Sequence, residues 1–329
     1  MKIAFEEVIK RIAALKGKKV MLTIHSLGDS DAIASAIALH ELMPNSIISI
    51  PDTLTANATR ILRKLGFDNA YIEKEFAYDA EAVIMLDVNN FGDCGRFRED
   101  LEKYSKEIIA IDHHKLIYDS KAAIFSDESY NSTASIIFDI FKAINASIEK
   151  RLASLIAIGI ISDSAEFKNA TAKTFLQLGE LFTIASTDYI TLMEETEHFA
   201  PALDRSRTLQ DLFSASMEIK YDLLFIYGLA HNYANLAADD AIKIGADIAL
   251  FWTIGKNEIA FSARIRPNID KRYDIHAGAI MGKLASIING TGGGHPAAAG
   301  AYGNNIEKSE EFRDAFINEI LEKISNRSL

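Results

Sequence analysis

Apolar residues along the first half of the chain recur in two alternating rhythms. Runs of strand length, KKVMLTIH (18–25), SIISIP (46–51), AEAVIMLD (80–87) and KEIIAIDHH (106–114), are compact, apolar and partly β-branched. Between and after them lie segments with helical spacing: 30–43, 56–66 (closed by Gly66), 131–144 and 150–163, the last two unusually apolar. Strand and helix in alternation predict a parallel sheet covered by helices on both faces. From 185 to 205 the text turns polar and acidic while staying compatible with helix, which reads as a helical linker. A second pattern follows, with strands expected at 221–229, 246–255 and 257–265 and helices at 232–245, 275–290 and 306–326. The fold class expected is therefore α/β throughout. An N-terminal domain occupies 1–184 and a smaller C-terminal α/β domain 206–329. Two domains also suit a length of 329 residues.

Composition adds exclusions. The chain is 49% hydrophobic and 25% charged, enough for a sizeable core. It has no apolar run of membrane-spanning length, and its first residues interleave Glu, Lys and Arg as an amphipathic helix does, unlike a signal peptide. One cysteine, Cys94, cannot close an intrachain disulfide, so a reducing cytoplasm is the expected location. A net charge of −11 speaks against binding long nucleic acid, which relies on Lys and Arg, but leaves room for a short anionic ligand held locally.

The acidic excess has a pattern. Four segments end in Asp or His: His25 with Asp29 and Asp31, then Asp87, then Asp112-His113-His114, then Asp163. Ligands of open α/β sheets bind beyond the carboxyl ends of the strands, where such residues would converge. A tight turn at Gly28 is expected to aim His25 and both carboxylates into one crevice. Taken singly, an Asp-x-Asp is an ordinary solvated turn, a His pair is unremarked surface, and Asp87 is a helix cap. Together, and free of cysteine, they suit hard or borderline divalent ions, manganese or magnesium. Asp29, Asp31, Asp87 and Asp163 sum to −4 when ionised, a charge that two divalent cations would balance. Two such ions support phosphoester hydrolysis.

These motifs resemble the DHH phosphoesterase superfamily, and ARIRP (263–267) with GTGGGHPAAAGA (290–301) resembles its C-terminal DHHA1 domain. The arrangement is similar to the short-oligonucleotide hydrolases (nanoRNase or pAp phosphatase) and the cyclic-di-AMP or pApA phosphodiesterases. The resemblance implies a two-metal hydrolase, manganese first and magnesium second, acting on linear dinucleotides and oligonucleotides of a few residues, then cyclic-di-AMP, then pAp. It implies that His25, Asp29 and Asp87 hold one ion, and that Asp31, Asp87, His113 and Asp163 hold the other. Asp112 would orient a ligand, and His114 would contact the scissile phosphate or protonate the leaving oxygen. Arg264, Gly292, Gly293, Gly294 and His295 would bind substrate in a cleft facing the metals, with Arg266 a weaker candidate. A homodimer is compatible with the family. Two departures stand out: Gly28-Asp29-Ser30-Asp31 replaces the Pro-Asp-Gly-Asp of many relatives, and no basic residue accompanies Asp163. Two other classes stay open, a pyrophosphatase or exopolyphosphatase and a non-catalytic nucleotide-binding module.

The glycine run reads on its own as a flexible loop or as a concave nest for an anion. Trp252 and His40 read as packing residues, His198 and His231 as surface or capping histidines, and Ser132 with Thr133 first as a helix cap, while the resemblance implies a Ser-Thr pair near the site as its structural support. No role is assigned to His276.

Overall fold

The computed structural model describes residues 1–67, 72–116, 120–164, 167–196 and 202–327. It divides into two compact units, Met1–Glu197 and His198–Leu329.

The N-terminal unit contains α1 (Phe5–Leu15), β1 (Val20–Thr23), α2 (Ser30–Leu42), β2 (Ser46–Ser49), α3 (Ala56–Lys64), β3 (Ile72–Glu73), β4 (Ala82–Leu86), β5 (Glu107–Asp112), β6 (Ala123–Ser126), α4 (Thr133–Ala143), α5 (Lys150–Asp163) and α6 (Ala172–Ala185). Its sheet is parallel throughout, in the order β3-β2-β1-β4-β5-β6. The order reverses between β1 and β4, and that reversal opens a crevice at their carboxyl ends. Both faces of the sheet are covered. Leu22, Ile84, Leu86 and Ile111 pack with α2, α4 and α5, while Met21, Val83, Met85 and Ala110 pack with Phe76, Cys94, Phe97 and Tyr104. Double burial explains why AVIML (82–86) is apolar without alternation. It also explains α2, buried almost all round rather than on one stripe.

The C-terminal unit contains α7 (Ala202–Ser214), β7 (Ser216–Lys220), β8 (Leu223–Leu229), α8 (Ala234–Ile244), β9 (Ile248–Ile254), β10 (Ile259–Ile265), α9 (Ala277–Leu284), β11 (Thr291–Gly294), β12 (Ala298–Gly303) and α10 (Ser309–Ser325). Its mixed sheet runs β11-β12-β10-β9-β8-β7, with β8 and β9 parallel and the other pairs antiparallel. Phe225, Leu250, Trp252 and Phe261 face α9 and α10, and Ile226, Ala249 and Phe251 face α8. No helix among the described residues is long and apolar enough to cross a membrane.

Three local expectations change. Gly28 makes no turn: it lies in a short strand paired with Thr53–Leu54, and a Cβ there would sit 2.3 Å from Ile24 Cδ1. Its lack of a side chain serves close packing. Gly292–Gly294 form not a loop but the edge strand β11, laid against α9. A Cβ on Gly278 would meet Gly294 O at 1.9 Å, and one on Gly292 would meet Met281 O at 2.5 Å. Glycine on both elements lets the helix and strand backbones touch. The helix expected over 275–290 ends at Leu284 and continues as a 3₁₀ turn to Ile288, stopped by Asn289 at φ 51°.

Candidate metal centre

The register of the parallel sheet sets the site. Thr23 is the partner of Met85 and Leu86 of Ile111, so His25, Asp87 and Asp112 leave the sheet at one level. Asp87 takes a left-handed backbone conformation (φ 60°), which Asp tolerates better than branched residues, while its N–H donates to Ile111 O at 3.0 Å. Its two carboxylate oxygens face different neighbours. Oδ2 lies 3.5 Å from His25 Nε2, whereas Oδ1 lies 3.5 Å from His113 Nε2 and 3.7 Å from His114 Nδ1.

The other carboxylates arrive from helix ends. Asp29 caps α2, accepting from Asp31 N–H and Ala32 N–H at 2.9 and 3.0 Å, and its Oδ1 lies 4.0 Å from His25 Nε2. Asp31, fully buried, accepts from the first amides of α4: Thr133 N–H at 2.6 Å and Ala134 N–H at 2.8 Å. Asp163 closes α5, with Oδ2 2.9 Å from His113 Nε2. It therefore comes from a helix and not from a strand end. Three clusters result: His25, Asp29 and Asp87; Asp31, His113 and Asp163; and Asp87, Asp112, His113 and His114. Within each, the potential ligand atoms lie within 4.8 Å of one another.

The electrostatics are those of a site short of positive charge. Burial pushes Asp31 well above the usual carboxylate range, and the carboxylates of Asp87 and Asp163 add to it. Asp29 rises for the same two reasons, burial and Asp87. Burial would also raise Asp87, but His113 and His25 outweigh it and hold its carboxyl well below the usual range. Burial opposes charge on His113, yet Asp163 and Asp87 drive the imidazole up to about 11. His25 moves up against burial because of Asp87. Protonated imidazoles thus stand where cations would neutralise the carboxylates.

One atom tests whether a metal fits. His113 Nε2 is buried among carboxylates, 2.9 Å from Asp163 Oδ2 and 3.5 Å from Asp87 Oδ1, and is aligned for a hydrogen bond with neither. A buried ring nitrogen crowded by carboxylate oxygens and aligned with none is costly unless something else uses its lone pair. The donor set is imidazole and carboxylate without thiolate, which suits manganese or magnesium. The residues fit the group.

Around these lie side chains that orient them. Asp112 accepts from His114 Nδ1 at 2.8 Å and from His114 N–H at 3.1 Å, and Asn89 Nδ2 donates to its other oxygen at 2.6 Å. The Asp112 contact raises the His114 imidazole, whose side chain is 60% exposed. Thr133 Oγ1 donates to Asp87 Oδ1 at 3.0 Å, and Ser132 caps α4 through Ser135 N–H. Gly159 of α5 presses on Asp31 and Ala134. Asn89 and Gly159 went unsuspected in the sequence, where an Asn two residues past a strand and a Gly inside an apolar helix carry no signal of their own.

The C-terminal candidates form a separate group. Arg264, on β10, pairs with Asp239 through Nε at 2.6 Å and Nη2 at 3.4 Å, and its Nη1 donates to Ser262 Oγ and Ala263 O at 3.1 and 3.0 Å. Arg266 pairs with Asp247 at 3.2 Å and donates to Gly245 O. Gly293 has open space where a Cβ would point, unlike Gly292 and Gly294, and His295 is exposed. Trp252 packs on Phe261, His40 bonds Ser46, His231 bonds Asp211, and His276 caps α9 by accepting from Ala279 N–H. His198 lies outside the described residues.

Comparison with known proteins agrees with this layout. The DHH family N-terminal domain matches residues 19–160, and the DHHA1 domain matches residues 230–323. An uncharacterised protein of Methanocaldococcus jannaschii is 31% identical over 320 residues, 93% of each chain. A probable manganese-dependent inorganic pyrophosphatase of Bacillus licheniformis is 27% identical over 179 residues, 52% of this chain and 56% of that protein. Among solved structures, an exopolyphosphatase-related protein from Bacteroides fragilis superposes with a TM-score of 0.76 at 17% identity, covering 99% of this chain and 97% of that one.

Proposed function

The chain belongs to the DHH phosphoesterase superfamily, and from that premise we propose that it is a two-metal phosphodiesterase for short nucleotide phosphodiesters. Linear dinucleotides such as pApA and oligonucleotides of a few residues rank first, then cyclic-di-AMP, then pAp. The observation that carries this reading is Asp87, whose two oxygens serve different clusters of imidazoles and carboxylates at the switch point of a parallel sheet. His25, Asp29 and Asp87 would hold one ion; Asp31, Asp87, His113 and Asp163 would hold the other. Two divalent cations, when bound, supply a hydroxide nucleophile near neutral pH and neutralise charge on the phosphoryl oxygens.

The protein's own groups do the rest. The bond from His114 Nδ1 to Asp112 leaves the other ring nitrogen of an exposed side chain free to face substrate. There it would protonate the leaving alcohol, with Asn89 holding Asp112 in place. Arg264, Gly292, Gly293, Gly294 and His295 would bind substrate phosphate or base, and the open side of Gly293 supports close approach to its backbone.

A second reading, inorganic pyrophosphate or polyphosphate, is favoured by the pyrophosphatase relatives. Against it, Arg264, Arg266, Lys271 and Arg272 are the cations that cluster in this part of the sequence, and two of them face Asp239 and Asp247, a sparse charge for a polyanion without bases. One assay decides. With Mn²⁺, hydrolysis of pApA, cyclic-di-AMP, pAp, pyrophosphate and a 24-mer RNA is compared under one condition. The proposal expects pApA to lead, and pyrophosphate as best substrate would replace it with the second reading.

A further inference from the structure

Asp87 and Asp31 are tied to the same residue. Thr133 gives its main-chain N–H to Asp31 Oδ2 at 2.6 Å and its hydroxyl to Asp87 Oδ1 at 3.0 Å. All three side chains are buried. The mount beneath Thr133 is stiff. Ser132 caps the helix, Gln177 of α6 accepts from Ser135 Oγ and donates to Ser135 O at 3.1 Å and Asp139 Oδ1 at 2.8 Å, and Gly159 of α5 packs on Ala134.

A carboxylate on a free Cβ–Cγ bond can exchange its oxygens, and a group that must serve two sites needs one oxygen assigned to each. Asp87 Oδ2 has His25 on its side, and Oδ1 has His113 on its own. The hydroxyl of Thr133 is a fixed donor on Oδ1 that makes the two oxygens inequivalent. It also leaves the remaining lone pair of Oδ1 for the His113 cluster. We propose that Thr133 is a positioning residue which fixes the rotation of Asp87, and through its amide that of Asp31, so that the two cation sites are occupied together. The assignment rests on the two-ion reading above. It goes beyond a capping role, because a cap at this position is already supplied by Ser132.

The two halves of the threonine side chain separate the explanations. Thr133→Val keeps the shape and loses the hydroxyl, while Thr133→Ser keeps the hydroxyl and loses the methyl. Metal-free wild type and both variants are titrated with Mn²⁺ by calorimetry, and electron paramagnetic resonance reports whether bound ions are coupled. Partners that orient metal ligands usually change metal affinity by about 10–100-fold. Thr133→Val should therefore weaken the second uptake at least about tenfold and lose the coupled spectrum. Thr133→Ser should restore both. An unchanged isotherm and spectrum for the valine variant overturns the assignment. So does the reverse pattern, in which serine fails and valine succeeds, since the residue would then act through packing. A wild-type chain that takes up one ion with no coupled signal removes the two-ion reading itself, a result distinct from a failure of the variants alone.

Discussion

Gly159→Ala adds one methyl where the structure has no room for it. The new Cβ would lie 2.9 Å from Ala134 Cβ, 3.1 Å from Ala34 Cβ and 3.3 Å from Asp31 Oδ1. Carbon pairs are comfortable at about 3.5–4.0 Å, so each helix neighbour is several tenths of an ångström too close. Ala134 and Ala34 sit on α4 and α2 without flexible ends to swing aside, so the helices themselves must part. Overpacking of this kind costs about 1–3 kcal/mol. For a unit of this size each kcal/mol lowers the melting temperature by about 2–4 °C. The same movement carries the first turn of α4 away from Asp31, whose bonds to Thr133 N–H and Ala134 N–H are 2.6 and 2.8 Å. A tenfold loss of Mn²⁺ affinity would then remove about 1.4 kcal/mol of metal-induced stabilisation. Calorimetric melting in EDTA and in saturating Mn²⁺ reads both effects: a lower melting temperature without metal, and a smaller rise when metal is added. A variant that melts as wild type in EDTA and gains as much from Mn²⁺ would refute the claim that Gly159 is required by contact with the site.

Asp87→Ala should lower turnover about 10²-fold or more, and retention of a tenth of the rate would sink its shared role. Asp163→Ala should leave about one ion per chain by elemental analysis, and two would contradict its assignment. In the metal-free cluster His113 holds a proton up to about pH 11 and His25 is also raised, while cations bind only neutral rings. Mn²⁺ affinity should therefore rise with pH across the neutral range, with release of protons in weakly buffered titrations; affinity that falls with pH would overturn this sign. Arg264→Ala should raise KM with little change in kcat, and a steep fall in kcat at fixed KM would assign the guanidinium to the transition state. Binding of a short RNA through two or three phosphates should show a salt slope of roughly −1.4 to −2.1. A steeper slope with turnover rising up to a 24-mer would indicate a groove for long strands.

The parts of the site that repeat a local rule were legible. His25, Asp87 and Asp112 follow apolar runs that end in step, so reading the strands also placed the side chains that leave them. The parts fixed by contact between distant elements were not. Thr133 meets Asp31 across 102 positions of sequence, and although the resemblance implied a Ser-Thr pair near the site, NSTAS itself does not show which amide or hydroxyl is aimed at which carboxylate. The strand Thr291–Gly294 was invisible because three of its four residues have no side chain to alternate, and composition alone says loop. Gly28 misled for a related reason, since the steric limit comes from Ile24 and Leu54 rather than from its own backbone angle. Helix α6 did leave a sign, the reciprocal capping of Thr171 and Thr174, but its periodicity is blurred because Phe175 and Leu176 are exposed while Thr174 and Gln177 are buried.

The helix ends around the cluster divide its charge unequally. Asp29 and Asp31 accept amides at the N-termini of α2 and α4, which offset part of the burial and carboxylate repulsion that raise both groups. Asp163 lies at the C-terminus of α5, where the partial charge is negative, and it shares His113 with Asp87. The need for added positive charge is therefore greatest around His113. That is where an imidazole is driven furthest toward its protonated form, with its ring nitrogen 2.9 Å from Asp163 Oδ2 and 3.5 Å from Asp87 Oδ1. Proton and metal compete there for the same lone pair. A fold that satisfied every carboxylate with amides would leave the cations nothing to neutralise. Here amides support Asp29 and Asp31, one carboxylate in each of two clusters, while Asp87 and Asp163 face His25 and His113, and that remaining shortage of positive charge gives a divalent ion its reason to bind.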